Sequence, residues 1–149
     1  MAADFTPANP DFARMVRESF SKQGLMATLG ARIVTIEPGY CVVEMPYAPG
    51  VSQQQGFFHG GAIAPIADNA AGYAAFSLMP AGSEILTTEY KINLVRAAVP
   101  PLLRAEGRVL RAGKTLTVCR AEVYHQRTSG AELCALMQST LMRVDPVAT

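Results

Sequence analysis

The sequence predicts an α+β fold, a single curved antiparallel sheet wrapped around one long central helix, with an extra short helix at the N-terminus. Three observations carry this. One stretch, Gly61 to Met79, is apolar and Ala-rich on every side, with Asp68-Asn69 its only polar pair before Ser77, and a helix with no polar face is a buried one. Segments on both sides of it alternate with period two and are joined by short glycine-containing connections, the pattern of antiparallel strands. Finally, these segments come in the order hairpin, helix, four strands, which packs as one layer curled around the other.

At 149 residues and 50% apolar content the chain has the material for one domain with a substantial core. The expected boundaries are a lead-in and short helix over 1–28, the main domain over 29–144, and a tail over 145–149. A net charge of +1 argues against nucleic acid or an anionic membrane as the main partner. Cys41, Cys119 and Cys134 form no CxxC pair and read as reduced, buried thiols, with no metal site expected. The N-terminal residues have neither a basic start nor an apolar run, so no signal peptide is expected. Pro65, Asp68 and Asn69 disfavour a membrane span for the apolar stretch. The expected location is the cytoplasm.

Taken in order, Asn9 suits an N-cap and Pro10 a first helical position. Phe12, Met15, Val16 and Phe20 follow at helical spacing, and Gly24 is placed to end the helix. From Ala31 the period is two. Glu37-Pro38-Gly39 then makes a type II turn, and Tyr40 to Met45 returns as the second strand of a hairpin. Pro46 to Ser52 is loop, and the central helix closes at Pro80-Ala81-Gly82. Ile85 to Val95 predicts a strand with Leu86, Thr88, Tyr90, Ile92 and Leu94 on one face and Thr87, Glu89, Lys91 and Asn93 on the other. Leu102 to Arg111, Lys114 to His125 and Ala131 to Arg143 complete an expected four-stranded meander, with hairpins at Ala112-Gly113 and Arg127 to Gly130.

The chemistry concentrates in Gln53 to Met79. Burying a carboxylate mid-helix is costly unless something pairs with it or uses it, and the residues alone leave both roles open for Asp68. The glycine-rich turn Gly56 to Gly61 presents free N–H groups at the helix start, a site suited to a developing oxyanion. At 1.5 Å rise per residue, Gly60 and Asp68 are roughly 12 Å apart along the axis. One chain cannot bring both to one reacting atom, so any shared site is composite, formed by two antiparallel copies of the helix. Pro65 disfavours a regular helix running unbroken from Gly61, because it lacks a donor and crowds the carbonyl four residues back.

The segment with His59-Gly60-Gly61 and Asp68 nine positions after the histidine resembles the HGGxxxxxxxD segment of hotdog-fold thioesterases of the phenylacetate-pathway (PaaI) type, within the 4-hydroxybenzoyl-CoA thioesterase superfamily. Thr87 through Arg96, Gly107-Arg108-Val109 and Arg111-Ala112-Gly113-Lys114 resemble later segments of the same family, in order and at family spacing. The resemblance implies hydrolysis of an acyl- or aryl-CoA thioester to free acid and CoA. It implies no metal, no cofactor beyond the CoA of the substrate, and a homodimer or a dimer of dimers (a homotetramer). Asp68 would be general base or nucleophile, and the amide of Gly60, with Gly61 beside it, would hold the carbonyl oxygen. The family often has Asn six residues before the motif histidine, where this chain has Gln53, which retains a water-positioning role through a longer side chain. Thr87 matches a position where a small hydroxyl faces the reacting centre from the partner chain. Arg96 is followed by Ala97 where the family usually has proline.

His59 is expected to order its turn rather than transfer a proton. Asn69 reads as a hydrogen-bonding residue of the helix interior and a candidate substrate contact. Arg96, Arg104, Arg108, Arg111, Lys114 and Arg120 cluster on the later strands. A solvated face is the ordinary reason for such a run, but CoA phosphates need such residues, and Arg111, Gly113 and Lys114 at a hairpin tip are the preferred contact. Phe57, Phe58 and Tyr73 suit either an aromatic acyl pocket or the core. The rival readings are a non-catalytic acyl-CoA-binding module and a hotdog hydratase. The latter places Asp shortly before a His, whereas here the next histidine after Asp68 is His125.

Overall fold

The computed structural model describes residues 5–145. Its elements are α1 (Phe12–Ser21), α2 (Gly24–Leu29), β1 (Arg32–Glu37), β2 (Tyr40–Pro46), α3 (Gly60–Phe76), β3 (Glu84–Leu94), β4 (Leu102–Ala112), β5 (Leu116–Arg127) and β6 (Gly130–Val144). One antiparallel sheet of order β1-β2-β4-β5-β6-β3 curls around α3. This is the expected class, with two differences. Gly24 does not end the helical segment but opens a second short helix, which Gly30 closes in the left-handed region at φ 65°, the conformation that favours glycine at a helix end.

The later strands are not a simple meander. β4, β5 and β6 are consecutive hairpins, but β3 lies at the far edge beside β6 rather than beside β4. The 95–101 connection is too long for a tight turn. It crosses the end of the sheet, donating from Val95 N–H to Cys134 C=O (2.9 Å) and accepting at Ala98 C=O from Phe58 N–H (2.9 Å).

β4 and β5 alternate as expected. Leu103, Ala105, Gly107 and Val109 of β4 and Cys119, Ala121, Val123 and His125 of β5 face α3 and are buried, with polar residues between them. Alternate residues pointing to opposite faces put the core on the concave side. Helix α3 fills that side with Ile63, Ile66, Ala67, Ala70, Ala71, Ala74 and Phe76. Its small side chains let the sheet come close: a Cβ on Gly107 would lie 2.1 Å from the backbone carbonyl of Ala70. Glycine is required there by close approach rather than by torsion.

On the convex face the basic run pairs with carboxylates. Arg104 reaches Glu44 (3.3 Å) and Glu106 (3.2 Å), Arg108 reaches Glu106 (3.2 Å), and Arg120 reaches Glu122 (3.5 Å). These three are a solvated, internally neutralised surface. All three cysteines are free and buried, and burial pushes the thiols of Cys41 and Cys119 up to about 12 and that of Cys134 to about 11. Such thiols are inert packing groups. No helix among the described residues is long and apolar enough to cross a membrane.

Candidate active site

Helix α3 begins at Gly60 and runs unbroken through Pro65, so the irregular start expected from Pro65 does not occur. The missing N–H of Pro65 leaves the Gly61 carbonyl without its helical partner, but Gly61 is exposed and water can serve that oxygen. Asn69 Nδ2 donates to the Pro65 carbonyl at 3.0 Å.

His59 is the N-cap. Its Nδ1 accepts from Gly61 N–H at 2.8 Å, which makes that nitrogen the unprotonated one and holds the ring over the turn. The Gly61 amide is therefore spent, and the two-amide cradle expected from Gly60-Gly61 reduces to one: Gly60 N–H takes no partner among the described residues. The turn before it is stitched down by His59 N–H to Val51 C=O (2.8 Å) and Phe58 N–H to Ala98 C=O (2.9 Å). Phe58 itself is buried, edge-on to Tyr47 with ring centroids 5.2 Å apart. Gln53 folds back on its own turn: Nε2 donates to Gln55 Oε1 at 3.1 Å, and Oε1 accepts from the Gln55 amide.

Asp68 lies two turns further along α3, half-buried, in a separate cleft. Thr87 Oγ1 donates to its Oδ1 at 2.8 Å. Its Oδ2 takes no hydrogen bond among the described residues and is open to the cleft. Burial pushes the carboxyl above its ordinary range, and the Thr87 hydrogen bond partly opposes this by favouring the ionised form.

Thr87 reaches Asp68 because of a β-bulge between Thr87 and Glu89. Past the bulge, Tyr90, Ile92 and Leu94 sit opposite three buried, inward-facing residues of β6, Ser139, Met137 and Ala135. Thr87 sits opposite the buried Leu141. The extra residue thus puts Thr87 on the same face as Tyr90, Ile92 and Leu94, against the strict alternation expected for this strand. Re-aiming a side chain beside a site is a common consequence of bulges.

The two clefts share no lining residue. The Asp68 cleft, about 130 Å³, is bounded by Asn69, Gly72, Thr87 and Leu141, with Ser19 of α1 and Gln23, the N-cap of α2, at its Tyr73 end. Tyr73 anchors that end: its hydroxyl lies 3.1 Å from Ser19 Oγ and accepts from Gln23 Nε2 at 2.6 Å. Nothing in the sequence pattern pointed to Ser19 or Gln23, since α1 and α2 read only as cover for the core. The Gly60 cleft, about 350 Å³, is bounded by Gln53, Phe58, Leu94 and Arg96. Arg96 pairs with Glu132 at 3.2 Å, and Glu132 holds Nε2 of the buried His125 at 2.9 Å. Val99 N–H donates to His125 Nδ1 (3.3 Å), so His125 ties down the loop that supports Phe58. This role was not legible from sequence, because His125 is remote in sequence from everything it orders.

Arg111, Gly113 and Lys114 lie on the β4–β5 hairpin. Gly113 and Lys114 border a groove with Ala75, Met79 and Pro80, at the C-terminal end of α3 and away from Gly60 of the same chain. Arg111 and Lys114 are exposed and form no ion pair among the described residues. No group of three His, Cys, Asp or Glu among the described residues is placed to hold a metal ion.

Comparison with known proteins identifies the family and the fold. The thioesterase superfamily profile matches residues 55–131, which carry the Gly60 turn, Asp68 and Thr87. A thioesterase family protein of Silicibacter pomeroyi superposes with a TM-score of 0.88 at 41% identity, over 91% of this chain and 99% of that one. The PaaI protein of the phenylacetic acid degradation operon of E. coli superposes with a TM-score of 0.82 over 95% of this chain and 99% of its own; at 22% identity it speaks for the hotdog fold. In sequence, a 1,4-dihydroxy-2-naphthoyl-CoA hydrolase of Listeria monocytogenes is 27% identical over 67% of this chain and 81% of its own length. The chain belongs to the thioesterase superfamily, as a thioester hydrolase on the hotdog fold.

Proposed function

We propose that this hydrolase cleaves an acyl- or aryl-CoA thioester into free acid and CoA in a site shared by two copies of the chain. The observation that carries the assignment is the state of Asp68: a half-buried carboxylate, the only charged residue of α3, with Oδ1 held by Thr87 and Oδ2 open to a cleft. A carboxyl whose affinity for the proton is raised by burial is a better base than an exposed one. In the base route, Asp68 takes a proton from water and the hydroxide oxygen attacks the carbonyl carbon. The oxyanion forms against the Gly60 N–H, and collapse expels the CoA thiolate, which takes up a proton. In the nucleophile route, Asp68 Oδ2 attacks the carbonyl carbon and expels the CoA thiolate, which takes up a proton, and water then hydrolyses the mixed anhydride to the free acid and the Asp68 carboxylate. His59 acts by ordering the Gly60 turn.

Two features support a composite site. Gly60 and Asp68 open into different clefts of one chain. β3 has one free edge, and it exposes Leu86 (55%), Tyr90 (47%), Leu94 (54%) and Val95 (57%) around it. An unpaired, apolar edge is a ready template for a second copy, and antiparallel pairing there sets the α3 helices of the two copies antiparallel to each other. The Listeria relative's name is that of a CoA ester hydrolase, and in this chain Arg96 at the Gly60 cleft and the exposed Arg111–Lys114 tip suit the phosphates of CoA.

The test is release of free thiol from a panel of aryl- and alkyl-CoA esters by wild type and Asp68→Ala. The variant should fold and bind CoA while turnover falls by about 10²-fold or more. Retention of more than about a tenth of wild-type turnover on a good substrate would refute the role of Asp68.

A further inference from the structure

We infer that Gly72 is the floor of the acyl subsite and limits the substrate to compact, uncharged acyl groups of about the size of one six-membered ring. The inference rests on the proposed reaction at Asp68. Gly72 stands in the interior of α3, where glycine weakens a helix relative to alanine. Its φ is not positive, so torsion does not require it. Close packing among the described residues does not require it either: a Cβ built on Gly72 meets none of them within 4 Å, whereas one on Gly107 collides with Ala70. The space that Gly72 leaves open is the cleft beside Asp68, which lies one helical turn before it on the same face.

The shape of that cleft gives the ligand class. Asp68 and Thr87 stand at the reacting end, Ile85 and Leu141 form apolar walls, and Ser19 and Gln23, held by the Tyr73 hydroxyl, close the far end. The cleft measures about 130 Å³, close to the cavity of about 150 Å³ that accepts a benzene ring. A long unbranched acyl chain would run into the Ser19–Gln23–Tyr73 contact. Glu84 at the same cleft, together with Asp68, opposes an acyl group that ends in a carboxylate.

The test compares kcat/KM for acetyl-CoA, benzoyl-CoA and decanoyl-CoA in wild type, Gly72→Ala and Gln23→Ala, with Tm and molar mass by light scattering measured on each. Wild type should prefer benzoyl-CoA to decanoyl-CoA. Gly72→Ala should lower kcat/KM for benzoyl-CoA relative to acetyl-CoA by about tenfold or more, the effect of one methyl group in a fitted pocket. Its Tm should rise by about 3 °C through helix propensity, with molar mass unchanged. Gln23→Ala should raise decanoyl-CoA hydrolysis relative to benzoyl-CoA. An unchanged benzoyl-to-acetyl ratio in an active Gly72→Ala enzyme overturns the role of Gly72 and leaves the thioesterase reading standing. A lowered Tm with loss of the wild-type mass also overturns it, because the glycine would then serve contact between copies. No thiol release from any of the three esters by wild type refutes the reaction and the subsite together.

Discussion

Gly107→Ala is the substitution whose effect the structure sets most sharply. Gly107 is where β4 crosses the middle of α3. A Cβ there would sit 2.1 Å from both C and O of Ala70 and 2.4 Å from N of Ala71. Ordinary contact begins at 3.4 Å, so helix and strand must part by about 1.3 Å, the difference between 3.4 and 2.1 Å. The colliding atoms are backbone, so no side chain can swing away. Overpacking typically costs about 1–3 kcal/mol, and backbone collision on both sides puts this variant near the top of that range. At about 2–4 °C per kcal/mol for a chain of this size, Tm should fall by about 6–12 °C. The same displacement moves Asp68, two residues from Ala70, and a misplacement of about 1 Å can cost up to about 10²-fold in turnover. Urea or thermal unfolding gives the first quantity, and thiol release per folded enzyme gives the second. A variant within about 2 °C of wild-type Tm and with wild-type turnover would show that the crossing of β4 over α3 does not hold Asp68 in place.

Thr87→Val removes the hydrogen bond that favours ionised Asp68, so the acid limb of the kcat–pH profile should move to higher pH; a limb that stays put, or moves lower, separates Thr87 from the titrating group. Asp68→Asn should be more stable than wild type at neutral pH. Because burial raises the folded-state pKa of Asp68, the unfolded chain loses that proton first as pH rises. The cost to the folded state builds between the unfolded and folded values and is fully present above both. The Tm difference between Asp68→Asn and wild type should therefore vanish below the ordinary carboxylate range, and a difference independent of pH would contradict this.

Much of the fold was legible because period-two burial and an all-apolar helix are strong one-dimensional signals. Both clean hairpins after β4 lie at the glycine connections that announced them, Ala112-Gly113 and 127–130. The strand order was less legible. Seven residues between β3 and β4 admit either a neighbour or a crossover, and the crossover rests on long-range bonds to Cys134, Phe58 and His125.

The site shows the same division. Gly60 and Asp68 stood out as a helix start and a misplaced carboxylate. The face of Thr87 did not, because a bulge shifts the phase of a strand by one residue and leaves no local mark in the sequence. The loss of the Gly61 amide to His59 was equally hidden, since it depends on a side-chain torsion. Ser19 and Gln23 enter only because two short helices fold over Tyr73.

The proposed reaction draws Gly60 from one copy and Asp68 from the other, so mixing defective subunits should restore it. Gly60→Pro deletes the oxyanion amide at the first helical position, where proline is tolerated, and Asp68→Ala deletes the carboxylate. Each alone should lose about 10²-fold or more of turnover. After subunit exchange between the two, confirmed by mass, hybrid dimers carry one intact site of two, and turnover should recover to about a quarter of wild type at equal mixing. No recovery despite confirmed exchange would contradict the shared site.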